Sequence, residues 1–134
     1  MNVYIYQAAL LCEDCGKVQC QALIDAGKAP ANPDDEYTYD TDDYPKGPYG
    51  DGGGEADCAQ HCDHCNTFLE NPLTSHGAEN VAESLVSGFL RDDGSPDVLR
   101  EWFAFYRDDV RELVEEMMME EFDNWSKNQV SVKA

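Results

Sequence analysis

Two short cysteine-rich stretches, CEDCG at residues 12–16 and HCDHC at residues 61–65, decide how this chain folds. Each contains a Cys-x-x-Cys pair, and a long segment separates the two pairs. Two such pairs are the ligand spacing of a tetrahedral zinc site with four thiolate ligands. The sequence therefore predicts one Zn²⁺ ion bound by Cys12, Cys15, Cys62 and Cys65.

The residue that follows each pair supports this prediction. In a zinc knuckle the chain turns back tightly, so that backbone N–H groups point at the thiolates. The residue after the second cysteine then needs a positive φ, which Gly adopts freely and Asn more readily than most other residues. These positions hold Gly16 and Asn66. We therefore expect two knuckle turns, each beside a strand.

Three other uses of the four cysteines are less favoured. A redox pair gains from nearby positive charge, which lowers the thiol pKa, whereas Glu13-Asp14 and Asp63-His64 stand between these cysteines. A redox pair also opens a helix within a βαβ unit, and no such pattern surrounds either stretch. An iron–sulfur cluster can use four cysteines, but pairs this far apart favour a mononuclear site. Four metal-free core cysteines are the remaining alternative.

Further candidate ligands lie close to the two pairs. A second metal site built from Cys20, Cys58, His61 and His64 is conceivable, and His61 is also a candidate to replace one cysteine in the main site. The simpler interpretation is that Cys20 is a small buried apolar residue and that His61 and His64 are exposed or form local hydrogen bonds. A catalytic zinc keeps an open coordination position, which four thiolates would close. The His-x-Glu motif of the zinc deaminases is absent from the sequence.

The fold class predicted is α+β, with a small zinc-ribbon-like β unit followed by C-terminal amphipathic helices, all in one domain. Residues 1–75 form the ribbon-like part and residues 76–127 the helical part. Strands are expected at 2–11 and 67–73, and helices at 17–26, 77–90 and 96–125. Thr74 or Ser75 would cap the second helix, Gly94 would end it, and Ser95 would cap the third, which Asp108-Asp109 would break into two. The apolar faces are expected to be formed by Val18, Ala22, Ile24 and Ala26 in the first helix, by Val81, Leu85 and Phe89 in the second, and by Leu99, Trp102, Phe103, Tyr106, Val110, Leu113, Val114, Met117, Met118, Phe122 and Trp125 in the third.

The segment 30–57 has a different composition from the rest of the chain. It is rich in acids, tyrosine, proline and glycine and almost free of aliphatic residues. Such a segment cannot drive a core, so we expect a long loop, partly disordered, with its tyrosines holding parts of it to the surface. Its acids are the candidate partner-binding residues: Asp34, Asp35, Glu36, Asp40, Asp42 and Asp43.

The formal net charge of -19 dominates the surface chemistry. Such a surface repels phosphate backbones and is attracted to basic protein surfaces. We therefore expect a basic protein or protein complex as partner, and no direct binding to nucleic acid. The sequence shows neither a secretory signal nor an apolar run of about 20 residues. The expected location is cytoplasmic, away from membranes.

The stretches YIYQAALLCEDCG, DDYPKGPYGDGGGEAD and HCDHCNTFLENPLT also resemble small uncharacterised proteins of bacteriophage and prophage genomes. The resemblance spans about residues 1–75, and the paired cysteine knuckles are its specific part. It implies a phage setting, with the host cell cytoplasm as location, and a zinc-ribbon-like core on the four cysteines. It implies no particular activity.

Three functional hypotheses follow. The first is a non-enzymatic, zinc-stabilised acidic protein that binds a basic surface of a host protein. Such a protein could inhibit a nucleic-acid-binding defence complex by mimicking DNA, as anti-CRISPR proteins do. The second is a metal-dependent enzyme with an open zinc site near His61 and His64. The third is a structural or regulatory protein that self-associates through the apolar helix 96–125. The simpler alternative is that the apolar face of this helix packs on the ribbon-like part. The oligomeric state is left open.

Overall fold

The computed structural model describes the backbone of residues 1–91 and 96–133 and the side chains of residues 1–88 and 97–124. Within these residues the chain is α+β, as expected, with one three-stranded antiparallel sheet and three α-helices. It forms two compact units, Met1–Pro72 and Leu73–Ala134. The sequence analysis predicted a single domain whose two parts meet at residues 75/76, which is three residues after the boundary between the two units.

A β-hairpin opens the first unit, where a single strand over 2–11 was expected. Strand β1 is Val3–Tyr6 and strand β2 is Ala9–Cys12, with Val3 paired to Cys12. The reversal takes place at Gln7 (φ 49°) and Ala8 (φ 62°), both in the left-handed region that a two-residue hairpin turn requires. The single-strand prediction failed because neither residue is a usual turn former. The Gln7 N–H donates to Thr41 O at 3.0 Å, so the turn is hydrogen-bonded to the segment 30–57.

The acidic segment is ordered, which corrects the expected loop. Strand β3, Lys46–Tyr49, pairs with the free edge of β1, so the sheet order is β2-β1-β3. Short 3₁₀ turns at 36–38 and 51–53 flank it. The order comes from backbone hydrogen bonds and tyrosines instead of aliphatic side chains. Tyr44 is buried with its ring edge against Tyr39, and the Tyr49 hydroxyl donates to Glu36 at 2.9 Å.

Helix α1, Glu13–Asp25, begins four residues before the predicted start and includes Cys15 and Gly16. The Cys12 Sγ caps it by accepting from the Cys15 N–H at 3.5 Å. The expected apolar face is wrong, since Val18 is 69% and Ile24 48% exposed. Gly16 is the buried residue of this helix because it lies directly against the ring of Tyr4.

The expected strand at 67–73 does not form, although Phe68 makes an isolated antiparallel bridge with His61. This segment instead fills the core, because Leu69 is fully buried with Val3, Leu11 and Cys62. Gly52 approaches the segment so closely that an added Cβ would lie 2.8 Å from the Asn71 nitrogen. Its positive φ of 59° likewise favours glycine.

The second unit is a pair of helices, α2 (Ser75–Arg91) and α3 (Pro96–Lys133), packed against each other. Thr74 caps α2 as predicted, because its Oγ1 accepts from the Gly77 N–H at 3.0 Å. The expected break at Asp108-Asp109 does not occur, and α3 continues beyond residue 125. Gly94, Ser95 and the side chains of Phe89 and Trp125 lie outside the described residues. The core of this unit consists of Val81, Ala82, Leu85, Val86, Tyr106, Val110 and Val114.

The two helices differ in length, and the described side chains of α3 that follow Val114 are mostly exposed. At 1.5 Å per residue, α2 is about 26 Å long and α3 about 57 Å long. Among the described side chains of α3, the buried ones lie between Tyr106 and Val114, whereas Met118, Met119 and Phe122 are 37%, 68% and 64% exposed. Within the described residues, the predicted apolar face is therefore buried at Tyr106, Val110 and Val114 and largely exposed beyond them. Among the described residues, no helix is long and apolar enough to span a bilayer.

Candidate metal centre

The structure brings the four predicted cysteines together. The Sγ atoms of Cys12, Cys15, Cys62 and Cys65 all lie within 4.8 Å of one another. The Cys12 and Cys65 sulfurs are 3.7 Å apart. Four sulfurs placed tetrahedrally at about 2.3 Å from a metal lie about 3.8 Å from each other. The observed spacing therefore fits a metal ion at the centre of the four thiols.

The first pair is positioned by the junction between a strand and a helix. Cys12 is the last residue of β2 and the N-cap of α1, while Cys15 lies in the first turn of that helix. This corrects the expected turn at Gly16, which has an ordinary helical conformation. Glycine is required there by space, because a Cβ on Gly16 would overlap the Tyr4 ring. The first pair is thus held by a helix start and not by a knuckle.

The second pair lies in a knuckle of the expected kind. Asn66 has φ 64° and its N–H donates to the Cys62 carbonyl at 2.9 Å. The Cys62 N–H donates to Thr67 O at 2.8 Å, which closes the turn. The Asp63 N–H donates to Leu10 O at 2.9 Å, so the turn is also attached to β2. These bonds place the second pair of thiols opposite the first.

Hydrogen bonds aimed at the second pair favour thiolates. The Thr67 hydroxyl lies 3.0 Å from Cys65 Sγ and, together with the Thr67 N–H, lowers the pKa of Cys65 to about 6. Burial acts to raise the pKa of Cys62, but N–H donors from Cys65, Cys12 and His64 outweigh it and lower that pKa. Thr67 was not among the predicted site residues. Its position two residues after Cys65 is a signal that could have identified it.

The first pair favours neutral thiols when no cation is bound. Burial raises the pKa of Cys12 despite the Cys15 N–H. Burial and the neighbouring sulfurs raise the pKa of Cys15. Thiolates this close repel one another, and a divalent cation at the centre would offset that repulsion. The donor set therefore suits a soft or borderline divalent metal.

Asn71 is a second residue that the sequence did not identify. It is fully buried and joins both sides of the knuckle. Its Oδ1 accepts from the Gln60 N–H at 2.8 Å, and its Nδ2 donates to Cys58 O at 3.0 Å and Pro72 O at 3.1 Å. These bonds fix the two chain segments that flank the second pair. No short motif marks such a residue in a sequence.

The additional candidate ligands do not form a second site. Among the described residues, the four-cysteine cluster is the one group of three or more His, Cys, Asp or Glu side chains close enough to share an ion. Cys20 contacts Tyr44, and burial followed by this contact raises the pKa of Tyr44 to about 12. Cys58 is exposed, His61 Nδ1 donates to Asn66 O at 2.9 Å, and His64 is exposed.

The predicted partner-binding acids are presented by the ordered acidic segment. Five of them are exposed and Glu36 is half-buried. Asp35 caps the 3₁₀ turn by accepting from the Tyr37 N–H at 3.2 Å, and Glu36 accepts from Tyr49. The Gln7 side chain donates to Asp42 O at 3.4 Å, which attaches the segment to the hairpin. Asp34, Asp40, Asp42 and Asp43 have their carboxylates on the surface.

Comparison with known proteins adds no relative: no family model, no curated protein and no solved structure matches the chain.

Proposed function

We propose that Cys12, Cys15, Cys62 and Cys65 bind a structural Zn²⁺ ion, and that the protein is a non-enzymatic acidic interaction protein. The observation that carries the proposal is the cluster of four sulfurs that lie within 4.8 Å of one another. Zinc is favoured because it accepts four thiolates in tetrahedral geometry. Four protein ligands leave no position for water or substrate, which argues against the enzyme alternative near His61 and His64.

The proposed partner is a basic surface of another protein. The support is the net charge of -19 together with carboxylates exposed on an ordered segment. An ordered array of carboxylates loses less entropy on binding than a disordered one. Such an array could occupy a groove that normally holds a phosphate backbone. In the phage setting expected from the sequence, the proposed target is a host defence complex, blocked by DNA mimicry as anti-CRISPR proteins do.

The metal half of the proposal is tested by metal content and by the spectrum of the Co²⁺-substituted protein. We expect one Zn²⁺ per chain and the intense thiolate-to-cobalt bands of a four-sulfur tetrahedral site. Cys62→Ser should lose both, whereas Cys58→Ser, the matched control outside the cluster, should keep both. A five-coordinate or mixed nitrogen–sulfur spectrum would favour the open-site enzyme instead.

The partner half is tested by capture from host lysate under rising salt and with competing DNA. We expect capture that is lost as salt rises and that duplex DNA displaces, because charge provides the attraction. Capture of the partner should weaken when four acids are changed together to Asn: Asp34, Asp40, Asp42 and Asp43. The control variant neutralises four acids on α3, namely Glu115, Glu116, Glu120 and Glu121, and so removes the same charge. Capture of the partner by this control should be stronger than capture by the first variant. Salt-insensitive capture would reject the electrostatic mechanism.

Self-association is a second candidate, favoured by the exposed Met118, Met119 and Phe122 on α3. Charge opposes it, because Glu115, Glu116, Glu120 and Glu121 flank the same stretch and would repel a second copy. Light scattering over a hundredfold range of concentration separates the candidates. A constant monomer mass supports the proposed function, and a rising mass supports self-association.

A further inference from the structure

A groove of about 430 Å³ lies beside the metal centre, within the first unit. The hairpin, the first two turns of α1 and the cysteine knuckle each contribute to its wall. Its apolar surface comes from Tyr6, Ala9, Leu11 and Val18, and its carboxylates are Asp14 and Asp63. The volume falls within the range of small-molecule and side-chain pockets. No Lys or Arg stands among these lining residues.

We propose that this groove binds one arginine side chain of the basic partner. An arginine buries its aliphatic stem on apolar surface while its guanidinium keeps charged contacts. Here the stem would lie along Leu11 and Val18, and the head would reach Asp14 and Asp63. Arginine is favoured over lysine because its planar fork serves two carboxylates at once and stacks on an aromatic ring such as Tyr6.

The groove depends on the cysteine cluster for its shape. Asp14 lies between Cys12 and Cys15, and Asp63 lies between Cys62 and Cys65. The two carboxylates therefore belong to the two chain segments that the four sulfurs bring together. Cys15 itself lines the groove. Binding of the arginine consequently requires an assembled centre, and this inference rests on the function proposed above, of which it names one point of contact.

The first experiment is an NMR titration of the zinc-loaded protein with a blocked Gly-Arg-Gly peptide. The control peptide contains citrulline, which has nearly the same shape and no charge. We expect saturable chemical shift changes at the amides of residues 9–11 and 63–65. The citrulline peptide should bind at least about tenfold more weakly than the arginine peptide. Equal shifts with both peptides, or shifts confined to residues 30–57, would overturn the proposal.

The second experiment compares two variants of equal charge. Asp14→Asn with Asp63→Asn removes the groove carboxylates, and Asp25→Asn with Glu55→Gln removes two exposed acids elsewhere in the same unit. We expect the first variant to lose about tenfold in affinity for the arginine peptide and the second to change by less than about twofold. Metal content and the near-ultraviolet spectrum must be unchanged in both. Equal losses would show diffuse attraction and not a site.

The same variants separate this inference from the proposed function. If capture of the host partner is salt-sensitive but is unchanged when Asp14 and Asp63 are replaced, the groove proposal is wrong and the proposed acidic interaction protein is supported. If the peptide binds the groove while no salt-sensitive partner is captured, the groove stands and the proposed function falls.

Discussion

Gly16 and Asn66 occupy equivalent positions, one after each cysteine pair, yet they are required for different physical reasons. Asn66 has a positive φ of 64°, which its side chain tolerates and most others do not. Gly16 is helical and is required because the Tyr4 ring fills the space of a Cβ. The sequence predicted both residues from one rule, and that rule holds for only one of them.

Replacing Gly16 by Ala should therefore destabilise the first unit by about 2 kcal/mol, because the overpacking cost exceeds the gain of about 1 kcal/mol in helix propensity. The measurement is urea unfolding of the zinc-loaded protein, followed by the near-ultraviolet signal of tyrosine. Gly50→Ala is the matched control, because nothing lies within 4 Å of its added Cβ and its φ of -75° is ordinary. Equal effects of the two changes would contradict the steric explanation.

Asn71 is the buried polar residue that holds the knuckle flanks. Asn71→Ala should lower the free energy of unfolding by about 2–3 kcal/mol, because Gln60 N–H and Cys58 O lose their partner in a buried environment. The same tyrosine signal reports the change. Asn32→Ala, at an exposed position, should shift stability by less than about 0.5 kcal/mol. A small effect at Asn71 would mean that the knuckle is held by the metal alone.

At the scale of elements, backbone pairing explains what hydrophobic pattern could not. The strand β3 contains Lys46, Gly47 and Pro48, a sequence without a strand pattern. It is a strand because the edge of β1 offers unpaired N–H and C=O groups. The helices of the second unit behave in the opposite way. Their positions were predicted well, because a sustained 3.6-residue period is a local property of the sequence.

In the described part of helix α3, buried residues between Tyr106 and Val114 are followed by exposed ones, and two substitutions test this. Tyr106→Ala should destabilise the helical unit by about 3–5 kcal/mol, because the side chain is fully buried. Met119→Ala should change it by less than about 0.5 kcal/mol, because Met119 is 68% exposed. Both tryptophans lie in α3, so tryptophan fluorescence during urea unfolding reports on this unit. A large loss with Met119→Ala would indicate that another surface covers this end of the helix.

At the scale of the molecule, the two units depend on different sources of stability. The first unit buries few aliphatic side chains, so a bound metal, which can contribute on the order of 10 kcal/mol, would dominate its folding. The second unit buries an apolar seam that contains no candidate metal ligand among its described core residues. Removal of metal should therefore affect the first unit selectively.

A strong chelator should abolish the near-ultraviolet tyrosine signal, since six of the seven tyrosines lie in the first unit. The tryptophan emission and most of the helical far-ultraviolet signal should persist. Re-addition of Zn²⁺ should restore the tyrosine signal, and Mg²⁺ should not, because thiolates prefer softer metals. Simultaneous loss of both signals would show that the two units fold together.

The sequence by itself determined the α+β class, the four cysteines that meet, the turn at Asn66, the cap at Thr74 and the two amphipathic helices. Each of these follows from residues near one another in the chain or from a ligand spacing with few solutions. Only the tertiary structure decided that residues 2–11 fold back as a hairpin, that 30–57 is ordered and adds a strand, and that Gly16 faces Tyr4. Those features depend on which distant segment supplies a hydrogen-bond partner or fills a space. The local composition of a segment does not identify the distant segment that it will contact.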